Sequence, residues 1–421
     1  MFAETLEAVQ SSPSKRTIYV RFVVAALAVM ILFKTFRFGR WSAWQGQELS
    51  DFDAFYIVAR QIWHGQLDLA YRFETLIKLQ QAFTGSTSFM PWTYPPQFDL
   101  LVAPFALLPA GIAYLLFVTA TLTAYLLTLR VIAGKDFAHV LVVMFPALAI
   151  TVGCGQNGFL TGTLISIVCL NVERRQLIAG LALGAMVIKP HLAIAAGVYM
   201  LATRRWMALA TATSVVLASS LVCTLVFGWQ IWAAWLGSIR ESAIFLEHGF
   251  YPMFRMISAY AALGRAGVPP NFAFWAQAAF ASFALFGIVL AVWLGKARKM
   301  SPAFALGVTA MVSVMISPYA YDYDLPMVGI GLALLLPDLA HVANSRERSA
   351  LYGLILLAGA YGMLQSGRLA AQFGSEADLS DKFAPAVGGF AMMVLLALLL
   401  RLLWRATQPA PLLPHAAQAA E

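Results

Sequence analysis

Apolar runs recur from Tyr19 to Leu403 with few polar breaks, and no feature of this chain constrains its fold more. An α-helix needs about 20 predominantly apolar residues to cross the hydrocarbon core of a bilayer. Tyr19–Phe38 meets that requirement, with Arg21 and Lys34 close enough to its ends to snorkel. Composition agrees: 61% of the residues are hydrophobic and 11% charged, where soluble domains average roughly a quarter charged. The chain therefore reads as an all-α integral membrane protein, a single domain over residues 1–421 with flexible cytoplasmic tails at 1–17 and 406–421. The first run follows a polar segment carrying Lys15 and Arg16 and has no small-x-small cleavage site after it, so it reads as an uncleaved span. The net charge of +8 is spread in ones, twos and threes between apolar runs. That is a topology signal and not a nucleic-acid footprint. Cys154, Cys169 and Cys223 lie in or beside apolar stretches without metal-ligand spacing and read as small hydrophobes.

The segment between the first span and Pro96 is long for a connection, and long structured loops are usually functional. Ala54, Ile57, Val58, Ile62 and Trp63, then Leu69, Leu76, Ile77 and Leu79, predict amphipathic helices on the membrane surface. Prolines interrupt the apolar stretch Phe98–Leu108, which predicts a re-entrant or juxtamembrane helix. From Ile112 onward the runs Ile112–Val131, Val140–Val152, Phe159–Val172, Leu177–Ile188, Leu192–Ala202, Ala208–Phe227, Phe272–Leu294, Phe304–Ile316, Leu325–Leu339, Leu351–Leu364 and Val387–Leu403 bring the expected total to about twelve spans. Several fall short of a full crossing, which predicts kinks, polar extensions or a thinned bilayer. The positive-inside rule puts the short basic clusters and both termini in the cytoplasm. Glu48, Asp51, Asp53, Asp68, Glu241, Glu247, Asp322 and Asp324 then fall outside, as do the acids of the loop holding Glu376, Asp378 and Asp381.

Every polar motif set deep in the apolar pattern lands on that outer face: Asp51 and Asp53, Tyr94-Pro95-Pro96, Gln156-Asn157, Lys189-Pro190-His191, Arg240 to His248, and Tyr321 to Asp324. Taken singly each reads as a turn or a cap. Together they predict one outward-facing cavity. Asp51-Phe52-x-x-Phe55-Tyr56, Tyr94-Pro95-Pro96 with Leu107-Leu108-Pro109 beyond it, Gly155-Gln156-Asn157-Gly158-Phe159, Lys189-Pro190 and Tyr321-Asp322-Tyr323-Asp324-Leu325 resemble glycosyltransferase family 87 over roughly Ser50 to Leu336. The resemblance implies a GT-C multi-helix bundle, juxtamembrane helices in the first outer loop, an essential aspartate there, and a polyprenyl-phosphate sugar donor with mannose as the usual sugar. It implies an acceptor that is lipid-linked or a glycan. Two positions depart from the pattern: His191, where many relatives carry Gln, and the second acid at Asp53.

Moving a sugar from a lipid phosphate to a hydroxyl requires a base for the acceptor proton, and a carboxylate near the anomeric carbon suits the task. Asp51 is the first candidate and Asp53 the second. Either one also reads as a helix N-cap, Asp53 the more naturally. A phosphate leaving group requires cations, and Lys189, His191, Arg240, Arg255 and His248 are the outer candidates. Arg240 and Arg255 equally fit headgroup snorkelling. Tyr94, Gln156, Asn157, Tyr321, Asp322 and Asp324 are candidates for sugar or acceptor binding, against turn and aromatic-belt roles for the same residues, and Tyr319 for the same choice. Asp322 and Asp324 could share a metal only on extended backbone. No metal or other cofactor is expected, and neither a Walker loop nor a dinucleotide fingerprint occurs. The rival readings are a secondary transporter, which usually shows internal repeats absent here, and a non-catalytic part of a polysaccharide assembly system. The expected location is the plasma membrane.

Overall fold

A computed structural model of the protein describes residues 2–10, 12–39, 49–85, 89–297, 300–373 and 384–408. The acids Glu48, Glu376, Asp378 and Asp381 and the carboxy-terminal tail from residue 409 lie outside the described residues. The described chain is all-helical, and its one β-bridge joins Met256 to Tyr321. α1 (Phe2–Glu7) is docked: the Arg348 guanidinium and the Tyr352 hydroxyl donate to the Glu7 carboxylate.

After α2 (Pro13–Gly39) come three helices of the first long loop, α3 (Asp51–Trp63), α4 (Leu67–Ala70) and α5 (Phe73–Thr84), as the apolar periodicity predicts. The broken stretch before Ile112 forms a short α6 (Pro96–Val102) and a 3₁₀ turn, because Pro104 cannot donate to the ladder. The body of the bundle follows: α7 (Ala110–Ala133), α8 (Phe137–Cys154), α9 (Gly158–Asn171), α10 (Gln176–Ala185), α11 (Pro190–Ala202) and α12 (Trp206–Phe227). Amphipathic α13 (Gln230–Glu247) and short α14 (Ala259–Arg265) form the second outer loop. The chain closes with α15 (Pro270–Lys296), α16 (Pro302–Val312), α17 (Pro326–Val342), α18 (Ser345–Phe373) and α19 (Val387–Thr407).

Among the described residues, six helical stretches are long and apolar enough to cross a membrane: α2, the run from α7 through α8, α12, α15, α18 up to Leu369, and α19. Against the expectation of about twelve spans, the other apolar helices have only 10–17 residues. At 1.5 Å per residue these reach roughly 15–25 Å, less than the hydrocarbon thickness. Three of the breaks between them fall at the polar motifs: α8 to α9 at Gly155–Asn157, α10 to α11 at Lys189, and α16 to α17 between Ser317 and Leu325.

The helices give the bundle two chemically distinct ends. α2 starts beside α8, where Gln10 hydrogen-bonds His139, and ends with Phe38 against Phe52 and Tyr114. α18 starts at the Glu7–Arg348 pair and passes Asp322 at Gly362. α19 starts against Ile257 and Ser258 and ends with Arg405 on Glu347. Arg205 pairs with Glu173, and Lys296 donates to the Ala202 carbonyl at the same far end. The candidate motifs gather at the other.

Candidate functional site

The site is built on α3. Its apolar face, Phe52, Phe55, Val58 and Ala59, is buried. Phe52 packs on Phe38 and Tyr114 with both centroids 5.3 Å away, and Phe55 packs on Phe98 at 5.1 Å and Tyr94 at 5.6 Å. Each buried Phe contributes on the order of 1.5–3 kcal/mol, enough to fix the phase of a 13-residue helix. That phase separates the two acids of its first turn, since residues two apart on a helix point about 200° apart. Asp53 turns back on its own helix start, where the Ser50 N–H and hydroxyl both donate to Oδ2 at 2.8 Å. Burial pushes its carboxyl up to about 7, with the Ser50 bonds and the nearby Arg37 and Lys34 pulling the other way. Asp51 points to the opposite side, half-buried, and its Oδ1 accepts from Gln156 Nε2 at 2.8 Å.

Gln156 links three groups. Its Oε1 accepts from the Tyr94 hydroxyl and from the Asn157 N–H, each at 2.8 Å, while its amide nitrogen holds Asp51. It reaches that position because α8 ends at Gly155 in the left-handed region, φ 65°. A Cβ there would also stand 2.7 Å from the Phe52 Cβ, so only glycine permits both the turn and the approach. The next residue, Asn157, is fully buried beside Tyr94, and neither atom of its amide meets a geometric hydrogen-bond partner among the described residues.

Lys189 sits where the following proline forces a break, with φ −141° and ψ 73°, and Pro190 opens α11. Its ammonium donates to Asp324 Oδ1 at 2.8 Å, and the two side chains are 7% and 2% exposed. Arg255 forks onto Asp322, Nη2 to Oδ1 at 2.9 Å and Nε to Oδ2 at 3.2 Å, and Nη2 also donates to Cys154 Sγ at 3.2 Å. The one β-bridge aligns this pair: the Ile257 N–H donates to the Ala320 carbonyl and Met256 faces Tyr321, so the segments bearing Arg255 and Asp322 lie side by side. Tyr323 fills the space between the cations, with Lys189 Nζ 5.0 Å and Arg255 Cζ 5.7 Å from its ring centroid and Tyr321 stacked on it at 5.1 Å. Two glycines leave room for this turn: a Cβ on Gly158 would overlap the Tyr323 carbonyl, and one on Gly362 would overlap the Asp322 carboxylate.

These groups share one electrostatic neighbourhood. Burial raises Asp51 above the ordinary carboxylate value; Arg255, the Gln156 bond and Lys189 lower it, and Asp322 raises it. Asp322 is likewise raised by burial, against Arg255. The motifs from Asp51, Tyr94, Gln156, Lys189, Arg255 and Tyr321–Asp324 thus meet at one end of the bundle. His191 lies half-buried two residues beyond Lys189, while Tyr319 turns away to donate to the Ser242 carbonyl. Two candidate cations do not join the cluster. Arg240 is exposed on α13, and His248 is exposed with its ring bonded to the Ile244 carbonyl. Sequence reasoning missed Tyr323, Cys154 and Gly362; the Tyr-Asp-Tyr-Asp spacing was the available signal for the first, and the other two carry none. It also missed Asp99, fully buried, which accepts from the Tyr71 hydroxyl at 2.5 Å and the Trp92 indole at 2.9 Å and ties α6 to the first loop.

A multi-helix membrane protein whose polar breaks gather carboxylates, two cations and hydroxyl-binding amides at one end has the parts that glycosyl transfer requires. The pattern of glycosyltransferase family 87 matches residues 92–318, more than half of the chain, and the protein belongs to that family. The match takes in Tyr94, Gln156, Lys189 and Arg255, and Asp51 is joined to it through Gln156. No curated protein and no solved structure matches the chain.

Proposed function

We propose that this membrane glycosyltransferase moves a hexose, mannose by family resemblance, from a polyprenyl-phosphate donor to a hydroxyl of a lipid-linked or glycan acceptor, with Asp51 as the base. One observation carries the choice of Asp51: of the acids these motifs bring together, it alone neither caps a helix nor carries an ion pair. Its Oδ2 takes no hydrogen bond from the described residues, which leaves that oxygen for an acceptor hydroxyl. In the reaction the acceptor oxygen bonds to the anomeric carbon as the bond from that carbon to the phosphate oxygen breaks. The electron pair leaves with the polyprenyl phosphate, and the hydroxyl proton passes to Asp51. Lys189 and Arg255 are the cations for the phosphate, and Asn157 and the Tyr94–Gln156 pair are the partners for sugar hydroxyls.

The distribution of charge supports placing this chemistry on the extracytoplasmic face of the plasma membrane. Lys15 and Arg16, Arg130 and Lys135, Arg174 and Arg175, Arg204 and Arg205, Lys296, Arg346 and Arg348, and Arg401 and Arg405 lie toward the far end of the bundle, at the short connections and the two termini. The site end carries Lys34 and Arg37 on α2 and Arg60, Arg72, Lys78, Arg240 and Arg265 in the two long loops. The test is transfer from a polyprenyl-phosphate hexose by purified protein in nanodiscs. Asp51→Asn retains an acceptor for Gln156 Nε2 and is expected to lose at least about 10²-fold in rate while remaining folded. Unchanged turnover in that variant would overturn the proposal.

A further inference from the structure

In the free protein both candidate phosphate-binding cations are already taken, each by a carboxylate of the same three-residue turn. We infer that Asp324 is a stand-in for the donor phosphate: it neutralises Lys189 until the lipid phosphate displaces it, and it is not itself a contact for sugar or acceptor. The inference rests on the reading of Lys189 as a donor-phosphate ligand.

Charge balance gives the reason. Asp51, Asp322 and Asp324 face Lys189 and Arg255, so with His191 neutral this cluster carries one net negative charge. Adding an anionic phosphate to it unchanged would bury further uncompensated negative charge, which is strongly unfavourable. One carboxylate has to give way. Asp51 is required as the base. Asp322 is held by both arms of the Arg255 fork and stands where α18 has no side chain at Gly362, its own side chain 1% exposed. Asp324 is held less firmly: one bond from Lys189 at 2.8 Å, and a long one to Oδ2 from the Tyr321 N–H at 3.3 Å. Lysine suits such an exchange, being a point charge on a flexible stem that can follow the new anion, whereas the planar Arg255 fork is matched to one carboxylate. Tyr94 and Tyr323, with ring centroids 5.9 and 5.0 Å from Nζ, give the ammonium π-faces beside it while its partner changes.

The stand-in predicts a sign that the other roles do not. A carboxylate contacting substrate, or one serving only structure, leaves lipid-phosphate affinity weaker or unchanged when it is removed. A displaceable counter-ion leaves it tighter, because the ligand no longer competes with an internal anion. The experiment measures binding of polyprenyl monophosphate, the leaving group and inert to transfer, to wild-type, Asp324→Asn and Asp322→Asn proteins in nanodiscs. Asp324→Asn is expected to bind about ten- to a hundredfold more tightly, the range of one charge-assisted hydrogen bond. Asp322→Asn is expected to show no such gain. Equal or weaker binding by Asp324→Asn, with wild-type transfer intact, overturns the counter-ion and leaves the transferase reading standing. Failure of the wild type to transfer from any polyprenyl-phosphate donor removes that reading instead. Should Asp324→Asn not fold, the wild type decides: adding the lipid must shift a carboxylate stretching band in infrared difference spectra, and a spectrum without that feature overturns the inference.

Discussion

Replacing Gly362 by Ala adds one methyl group to a transmembrane helix far in sequence from the candidate base, yet the structure places that methyl on the Asp322 carboxylate and 3.4 Å from Arg255 Cγ. Ordinary contact needs about 3.5–4.0 Å between heavy atoms, so the carboxylate must shift by about 1 Å or more. The fork bonds at 2.9 and 3.2 Å then lengthen to about 4 Å, beyond hydrogen-bond reach. Breaking a buried pair costs about 3–5 kcal/mol, while Ala for Gly in a helix interior returns about 1 kcal/mol. The net expectation is a loss of about 2–4 kcal/mol, with a matching loss of transfer because Arg255 is no longer held. Gly353→Ala on the same helix is the control, since nothing lies within 4 Å of its Cβ, and it should be neutral or slightly stabilising. Thermal unfolding in detergent and the transfer assay read both variants. Gly362→Ala behaving as Gly353→Ala does would show that the Asp322–Arg255 pair tolerates the methyl.

Three further outcomes are expected. Since burial holds Asp51 above its ordinary value of 3.8, transfer should fall as pH drops through that raised value, and this acid limb should vanish from the residual activity of Asp51→Asn; a limb unchanged in the variant assigns it elsewhere. Asp53 titrates near 7 when folded and near 3.8 when unfolded, so the folded state binds the extra proton and stability should decline as pH rises from about 4 to about 7; Asp53→Asn, measured by denaturation against pH, should flatten that decline. Asn157→Leu removes an amide buried without geometric partners among the described residues and should raise stability by about 1–3 kcal/mol while weakening use of the sugar donor, which KM for the donor and a melting curve separate.

The sequence located helices well where the signal was local. Apolar periodicity placed α3 and α5, and the prolines around Phe98–Leu108 placed the break between α6 and α7. The number of crossings was less legible: among the described residues six stretches are long and apolar enough to span, and the other apolar helices have only 10–17 residues. Within the site, Arg240 and Arg255 look alike in sequence, both basic residues of one outer loop. The bridge between Met256 and Tyr321 brings Arg255 alone to Asp322. Cys154 read as a small hydrophobe and lies under that guanidinium.

Sequence alone determined that this chain is helical, belongs in a membrane, and carries its unusual polar residues at helix ends, because hydrophobic run length and proline geometry are properties of neighbouring residues. Which acid lacks an ion pair or a capping role, and which are so engaged, came from helix packing. Asp51 and Asp53 differ by the phase of one helix set by Phe52 and Phe55, and Asp322 and Asp324 are engaged by cations 67 and 135 residues away. Charge pairing across such distances depends on where helices pack, and no local pattern records it.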